Sequence, residues 1–566
     1  MRYSELCKVY EELGATTKRL EKIAILSEFL KKVRENDKEV LYLLLGNLYP
    51  SYDPREIGIS TQTVIKALAK AAGISDEKIV SEWKKIGDLG QVAELLITKK
   101  KQSGLFHGEL TTEKIISDLR ELAKMQGKGT VGKKIDLIAG LLSNSKPVEA
   151  KYLVRILLAD LRIGVQDSTL RDSIADTFFP DNKKIASEKV QHAYDLNPDI
   201  ALIFEKARHG LKELDKVSLK PGSPIKAMLA QKVDSIEEGF EVVGKPAVFE
   251  YKYDGFRLMI NKDEKGNISL FTRRLDNVTN QFPDVVSFIR EFVNAKSFMI
   301  DSEAVGYDPK TKKYLPFQSV SQRIKRKYDI DKTAKDFPVE LNVFDLLMLD
   351  GESYIGRPFI ERTKALRKII KNKEYKLVCA KQLITDSEKE AKLFFNKALK
   401  DNQEGLMVKN LNAVYKPGSR VGYMLKLKPE HRDLDLVIVG AEYGTGKRAG
   451  WLSSFILACK SDKHGGGEFL EVGRVGTGIK EKLDIGVSFL ELTNLLKPLI
   501  TKSSGKEVKV KPKIIVSVIF QEIQKSPTYN SGYALRFPRV TALRMDKPLN
   551  EINSLKDIER EYGEQK

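Results

Sequence analysis

The run Glu250-Tyr251-Lys252-Tyr253-Asp254-Gly255-Phe256-Arg257 sets a lysine among carboxylates, an arginine and a turn dipeptide at the end of an apolar β-type stretch. A lysine in that place is unusual, because burying an ammonium is costly. Burial and neighbouring cations would lower its pKa and leave the amine nucleophilic. Attack requires such a shift, since only about one unperturbed lysine in a few thousand is neutral at pH 7. Taken alone, the segment also fits a surface strand-turn with Asp254-Gly255 as the turn pair.

It does not stand alone. Phe271-Thr272-Arg273-Arg274 follows another β-type run, and Phe298-Met299-Ile300-Asp301-Ser302-Glu303 ends one in acids. Val343-Phe344-Asp345, Glu404-Gly405-Leu406-Met407-Val408-Lys409 and Tyr415-Lys416-Pro417-Gly418-Ser419-Arg420 come next, then Met424-Leu425-Lys426-Leu427-Lys428. Period 2 places Lys426 and Lys428 on one face of a strand, Leu425 and Leu427 on the other. Each segment by itself fits a solvated strand end. Together, basic groups and carboxylates at strand ends suit a nucleoside triphosphate with a divalent metal. Two lookalikes fail on chemistry. His431-Arg432-Asp433-Leu434 lacks the asparagine of a kinase catalytic loop, Ile438 standing in its place, and no Asp-Phe-Gly follows. Gly444-Thr445-Gly446-Lys447 lacks a Walker A loop's first glycine and its final Ser or Thr, with Ala441 and Arg448 there instead, and reads as a hairpin turn.

The elements that must position these residues divide the chain into three parts. Residues 1–220 read as helical: Leu20, Ile23, Leu26, Phe29, Leu30 and Val33 recur at spacings of three and four, as do Leu137, Gly140, Leu141 and Leu153, Ile156, Leu157, Leu161. Pro221-Gly222-Ser223-Pro224 is a linker candidate. Residues 221–430 alternate short β runs (247–251, 269–272, 298–300, 341–344, 423–427) with helical stretches such as 362–370, a mixed α and β domain. Residues 431–566 are strand and turn (436–439, 455–458, 468–472, 514–520), suiting a small closed or partly closed β-barrel, with a terminal helix over 551–566.

Composition narrows the classes. The 566 residues hold 97 Lys and Arg against 78 Asp and Glu, a net charge of +19, and the basic excess is spread over all three parts. A distributed excess suits a long surface that follows a phosphate backbone, and equally suits ordinary solvation. No apolar run is long enough for a transmembrane helix, and the N-terminus has no secretory h-region. Cys7, Cys379 and Cys459 are far apart and form no CxxC pair or zinc ribbon, which suits a reduced cytoplasm. His107, His192, His209, His431 and His464 make no metal-ligand pattern.

The ordered motifs resemble the covalent nucleotidyltransferase superfamily, and within it most nearly the ATP-dependent DNA ligases of the archaeal and eukaryotic replicative type. The resemblance spans nearly the whole chain. Pro221 to Ala230 looks like that family's entry into the adenylation domain, and Arg155 to Gly164 like part of its helical DNA-binding domain. Ala534-Leu535-Arg536-Phe537-Pro538-Arg539 with Arg544-Met545-Asp546-Lys547 looks like its C-terminal motif. The resemblance implies an all-α DNA-binding domain (1–220), an α+β adenylation domain (221–430) and an OB-fold β-barrel domain (431–566). It implies Lys252 as the nucleophile that takes AMP, Glu250 accepting from the adenine amino group and Phe344 stacking on the base. Arg257 and Arg273 would contact ribose and phosphate. Glu303 would contact ribose and, with Glu404, place Mg²⁺. Arg420, Lys426 and Lys428 would hold the α-phosphate, and Arg544 and Lys547 would orient pyrophosphate when the OB domain closes. The implied activity seals 5′-phosphate/3′-hydroxyl nicks in duplex DNA through lysyl-AMP and DNA-adenylate, in replication, repair and recombination. The enzyme would be a cytoplasmic monomer without a membrane anchor. Gln102, Leu105 and Phe106 resemble a box that docks a PCNA-type sliding clamp, though Gly104 and the single aromatic depart from the fullest pattern; they also suit a loop whose apolar residues pack inward.

Two rivals share parts of this pattern. An RNA-capping guanylyltransferase or RNA ligase uses the same lysine chemistry, but the long helical N-terminal part has no counterpart in capping enzymes. A nucleic-acid-binding protein with an inactive nucleotidyltransferase domain would not need Lys252, Glu303, Glu404 and Lys426 together. A bacterial-type NAD-dependent ligase carries a four-cysteine zinc site, which this chain cannot build.

Overall fold

The computed structural model describes residues 1–99, 109–125, 129–315, 320, 323–324, 326, 328–429, 433–444, 448, 450–462, 468–481 and 487–564. Residues 1–428 form one compact unit and 429–566 a second. Among the described residues no helix is long and apolar enough to cross a membrane.

The N-terminal part is helical from Tyr3 to Leu214, around one core that runs from Tyr3 to Val217. Local chemistry sets its helix ends. Ser60 Oγ accepts from Thr63 N to open helix Thr61–Ala72, and Gly73, at φ +68°, closes it. The Leu20-to-Leu30 stripe does lie on a helix, Arg19–Leu30, but it does not all face inward. Leu26, Phe29 and Leu30 are buried, whereas Leu20 is 78% exposed. Lys22 takes the inward place at 7% exposure, its ammonium donating to the carbonyls of Ile163 and Gly164. Apolar periodicity cannot register a lysine whose charge is satisfied by carbonyls remote in sequence. On helix Thr130–Ser143 the inward residues are Ile138, Leu141 and Leu142, and Gly140 is exposed.

The segment Pro221 to Pro224 is a packed connection rather than a free tether. Ser223 and Ile225 are buried, Asn261 Nδ2 donates to the Ser223 carbonyl at 2.8 Å, and Lys226 N donates to the Asp195 carbonyl at 2.9 Å. This fastening ties the helices to the following sheets within the first unit.

Those sheets are built from β1 (Leu229–Val233), β2 (Ala247–Lys252), β3 (Phe256–Lys262), β4 (Ile268–Thr272), β5 (Phe298–Gly306), β6 (Val339–Leu349), β7 (Glu352–Ser353), β8 (Leu377–Cys379), β9 (Gln382–Thr385), β10 (Gly405–Asn410) and β11 (Arg420–Leu427). One sheet has the order β1-β11-β10-β2-β9, the other β4-β3-β5-β6-β7 with β8 on β6. Pairs are antiparallel except β1–β11 and β6–β8. Each sheet buries one face on its own core, Phe249, Tyr251, Leu406, Val408 and Leu425 in the first, Leu258, Ile260, Ile300 and Val343 in the second. Met424 from the first sheet packs with Met259 and Met299 of the second, so the other two faces look at each other. Glu250, Lys252, Asp301, Glu303 and Lys426 lie on these inner faces.

The second unit is strand-rich: β12 (Leu434–Tyr443), β13 (Leu452–Lys460), β14 (Phe469–Val475), β15 (Ile500–Ser504), β16 (Glu507–Val510), β17 (Ile515–Ile519), β18 (Glu522–Lys525), β19 (Tyr533–Arg536) and β20 (Arg539–Leu543). β12 pairs with β13 along one edge. Along the other it pairs with β17 through residues 434–437 and with β16 through 440–442, so the sheet curls round a core of Leu436, Phe455, Leu457, Val516 and Val518. β12 and β13 pair antiparallel, and past their paired ends Gly444 N donates to the Trp451 carbonyl at 2.9 Å; Thr445, Gly446 and Lys447 of the hairpin-turn reading lie outside the described residues. Helix Leu555–Glu564 ends the described chain.

Candidate active site

Alternation along β2 makes the site. Phe249 and Tyr251 enter the core, which turns Val248, Glu250 and Lys252 to the inner face. On β10 Leu406 and Val408 are core, leaving Met407 and Lys409 inward, and on β11 Leu425 and Leu427 are core, leaving Met424 and Lys426 inward. The ladder sets Glu250 opposite Met407, Lys252 opposite Gly405 and Lys426 opposite Met407.

The carboxylate of Glu404 pairs with the ammonium of Lys252 and, at 2.6 Å, with that of Lys428, one residue past the end of β11. Burial alone would raise the Glu404 carboxyl, but the two lysines outweigh it and hold it below the ordinary range. Burial pushes the Lys426 amine down, and the charges of Lys252, Lys428 and Arg420 push it further against the opposing pull of Glu404. Arg420 itself is exposed and donates Nη1 to the Ala230 carbonyl at 2.8 Å.

Glycines bring the loops close. A side chain at Gly255 would overlap the Ala304 carbonyl and sit 3.1 Å from Glu303 Cγ. One at Gly405, where φ is +139°, would overlap the Leu427 carbonyl. Glu404 N donates to the Lys252 carbonyl at 2.9 Å, and Asp254 N to Gln403 Oε1 at 3.1 Å. These close approaches press the loop after Lys252 against β5 and against the Glu404 turn.

Phe344 owes its place to a bulge. Ser302 pairs with Val343 and Asp301 with Asp345, so Phe344 is the extra residue on β6. Val343 and Leu346 still reach the core, while the Phe344 ring stands between Arg257, 5.5 Å from its centroid, and Lys409, 5.2 Å. Lys409 pairs with Glu250 at 2.5 Å, and Gln382 Nε2 donates to the other Glu250 oxygen at 2.9 Å. An acceptor, an aromatic face and two flanking cations thus share one end of the cleft.

Several residues quoted from the motifs without a role turn out to brace it. Asp301, fully buried, takes Arg257 through both oxygens, Nε at 2.9 Å, while Arg257 Nη1 donates to the Met228 carbonyl at 2.8 Å. Tyr415 OH donates to Asp301 at 3.1 Å. Asp345 holds buried Arg362 the same way, at 2.7 and 3.0 Å. β5 runs on to Gly306, so its acids do not end it as the sequence suggested; they and the acid of mid-β6 are divided, Asp301 and Asp345 being internal anchors and Glu303 left for the cleft. Strand alternation could have signalled Asp301 as a neighbour of Glu303 on one face; nothing in the sequence names its arginine. Arg273 follows β4 and is exposed. Among the described residues no group of three or more His, Cys, Asp or Glu side chains is arranged for a metal.

In the second unit, Arg544 Nη1 reaches Asp435 at 3.0 Å, and the Lys547 ammonium pairs with the same carboxylate. Gln102, Leu105 and Phe106 lie outside the described residues.

Comparison with known proteins assigns the chain to a family. The profile of the "ATP dependent DNA ligase domain" covers residues 227–428, that of the "DNA ligase N terminus" residues 2–175, and that of the "ATP dependent DNA ligase C terminal region" residues 448–547. The chain is 45% identical to a DNA ligase of Nanoarchaeum equitans over 100% of its own length and 99% of that protein's. It is 40% identical to a DNA ligase of Thermococcus fumicolans, over 100% and 98%. The solved structure named Pmar-Lig_Pre covers 95% of this chain and 99% of its own at 16% identity and a TM-score of 0.51, a likeness of fold. The chain therefore belongs to the family of ATP-dependent DNA ligases, enzymes that seal nicks in DNA.

Proposed function

We propose that Lys252 attacks the α-phosphate of ATP, breaking the α–β anhydride to release pyrophosphate, and carries AMP as a phosphoramidate; the AMP then passes to the 5′-phosphate of a nick, freeing the lysine, and the 3′-hydroxyl attacks that phosphate and displaces AMP. The observation that carries this reading is the Lys252–Glu404–Lys428 cluster, with Lys426 beside it. Glu404 accepts a hydrogen bond from Lys252 and so orients the amine for attack. Lys426, Lys428 and Arg420 supply the positive field for the phosphates, and every step is an in-line displacement served by positioning and charge. Glu250, held by Lys409 and Gln382, offers an acceptor to the adenine amino group, and Phe344 offers its ring. Arg257 braces the base end, and Arg273, exposed after β4, is free to meet phosphate or nick. Arg544 and Lys547 orient pyrophosphate when the second unit docks on the first.

Glu303 and Glu404 fit a Mg²⁺ site shared with nucleotide phosphates. Mg²⁺ needs only one or two carboxylates beside phosphate and water, and the Glu303 carboxyl makes no hydrogen bond among the described residues. Bound there, the ion would neutralise charge on the transferring phosphate. The substrate is nicked duplex DNA, met through backbone and shape, because a nick has no fixed sequence. The enzyme is read as a monomer, which sedimentation of the full chain checks. The spacing of Gln102, Leu105 and Phe106 supports a PCNA-type clamp as partner; truncating the last two side chains should abolish clamp stimulation and spare unstimulated sealing.

The test is incubation with α-³²P-ATP and Mg²⁺, wild type against Lys252→Ala, on a denaturing gel. A labelled band in wild type alone is the expected result. No band in folded wild type, or a band with labelled GTP only, would overturn the reading.

A further inference from the structure

The spacing of Arg544 and Lys547 has a visible cause in the second unit. Both converge on Asp435, at the start of β12 and 7% exposed. Arg544 Nη1 lies 3.0 Å from Oδ2 and 3.3 Å from Oδ1, and the Lys547 ammonium bonds Oδ2. Ser517, directly opposite Asp435 on β17, donates its hydroxyl to Oδ1. The backbone of Asp435 is clasped as well: its N–H donates to Asn553 Oδ1 at 2.8 Å and its carbonyl accepts from Asn553 N at 3.0 Å. Burial alone would raise the Asp435 carboxyl, but hydrogen bonds from Lys547 and Ser517 and the charge of Arg544 hold it below the ordinary value.

The two cations differ in what else holds them. Arg544 has a second carboxylate, Asp546, at 3.0 Å from Nε and 2.8 Å from Nη2, and its N–H donates to the Ile515 carbonyl at 2.9 Å. The Lys547 side chain has Asp435 alone among the described residues. Two cations sharing one oxygen repel unless that oxygen is charged.

We propose that Asp435 is a positioning residue for the pyrophosphate-releasing step: it gathers Arg544 and Lys547 at one point, so that the β- and γ-phosphates meet a preset pair of cations rather than two that splay apart. This rests on the proposed reading of Arg544 and Lys547. Without the charge, Arg544 stays on Asp546 and Lys547 swings away.

The test uses the full chain with Asp435→Asn. Single-turnover formation of Lys252-AMP at saturating ATP, and its reversal by added pyrophosphate, should each fall about tenfold, whereas sealing of a pre-adenylated nick should change by less than about twofold. Asp435→Asn combined with Lys547→Ala should be no slower than Lys547→Ala alone, because one interaction is lost once. Ser517→Ala, which moves no charge, should give a smaller fall of about two- to threefold in the same two steps, and carries the test if Asp435→Asn lowers Tm. Unchanged adenylation, an equal loss in all three reactions, or additivity with Lys547→Ala would overturn the proposal. A wild type that forms no Lys252-AMP would overturn the underlying reading, and this inference with it.

Discussion

Arg257 and Glu303 stand directly opposite each other across the β3–β5 ladder, yet the guanidinium bonds Asp301, two residues along, through both of its oxygens. Asp301 takes the charge that Glu303 could have had. Burial then pushes the Glu303 carboxyl up to about 8, against the lowering pull of Lys252 and Arg257. The pair is thus separated into a structural ion pair below and an available acid at the cleft.

Arg257→Lys tests that separation. An ammonium cannot span both oxygens of a fully buried Asp301. The variant should lose about 1–3 kcal/mol, read as a drop in the urea midpoint of the first unit, and should form Lys252-AMP more slowly.

The glycines in the two turns are steric requirements. Gly255→Ala and Gly405→Ala each drive a methyl into a backbone carbonyl, of Ala304 and Leu427 respectively. Each should cost about 1–3 kcal/mol and more than tenfold in the adenylation rate, because the turn carrying Lys252 or Glu404 must retreat. Gly266→Ala, a positive-φ glycine with open space around it, serves as the control for backbone strain alone and should leave adenylation near wild type.

Asp88 gives the pH dependence. Its carboxylate holds Arg155 at 2.6 Å and reaches Arg162 at 3.5 Å. Burial would raise its carboxyl, but the hydrogen bond and charge of Arg155 win and hold it below the usual value. A depressed carboxyl contributes stability above its unfolded pKa of about 4, and that stability is lost as pH falls through the folded value. Asp88→Asn should therefore cost about 3 kcal/mol in a pH 7 melt, and the gap to wild type should close in melts at successively lower pH, below about 4.

Lys22 braces the turn that ends in Leu161-Arg162-Ile163-Gly164. Arg162 and Gly164 are both at positive φ, +58° and +62°, and the Lys22 ammonium bonds the carbonyls between and after them. Lys22→Met should loosen this turn, weakening nicked-DNA binding about three- to tenfold in a fluorescence titration while Lys252-AMP forms at the normal rate. Equal loss of both would place the effect in folding instead.

Salt checks the electrostatic footprint. With a net charge of +19 spread along the chain, the nicked-DNA dissociation constant should climb steeply between about 50 and 200 mM salt, by at least about a hundredfold. A flat titration would mean that the basic excess is only solvated surface.

Much of the chemistry was determined by local sequence. The alternation around Lys252, Lys426 and Glu303 fixes which face each takes, because the side-chain period of a strand is 2 and the apolar neighbours can face only the core. Runs such as 247–251, 269–272 and 455–458 were legible as strands because β-type residues cluster there, and they fall within β2, β4 and β13; β3, β9 and β10 carried no such signal. What tertiary structure alone decided concerns partners remote in sequence. Lys22 is inward and Leu20 outward because the carbonyls of Ile163 and Gly164 wait at the surface Lys22 meets. Phe344 reaches the cleft because of a register slip against β5, which depends on two strands at once. Asp301, rather than Glu303, takes Arg257, and Asp435 gathers Arg544 and Lys547, because an ion pair is chosen by distance and burial in three dimensions, and a linear pattern of charges contains neither.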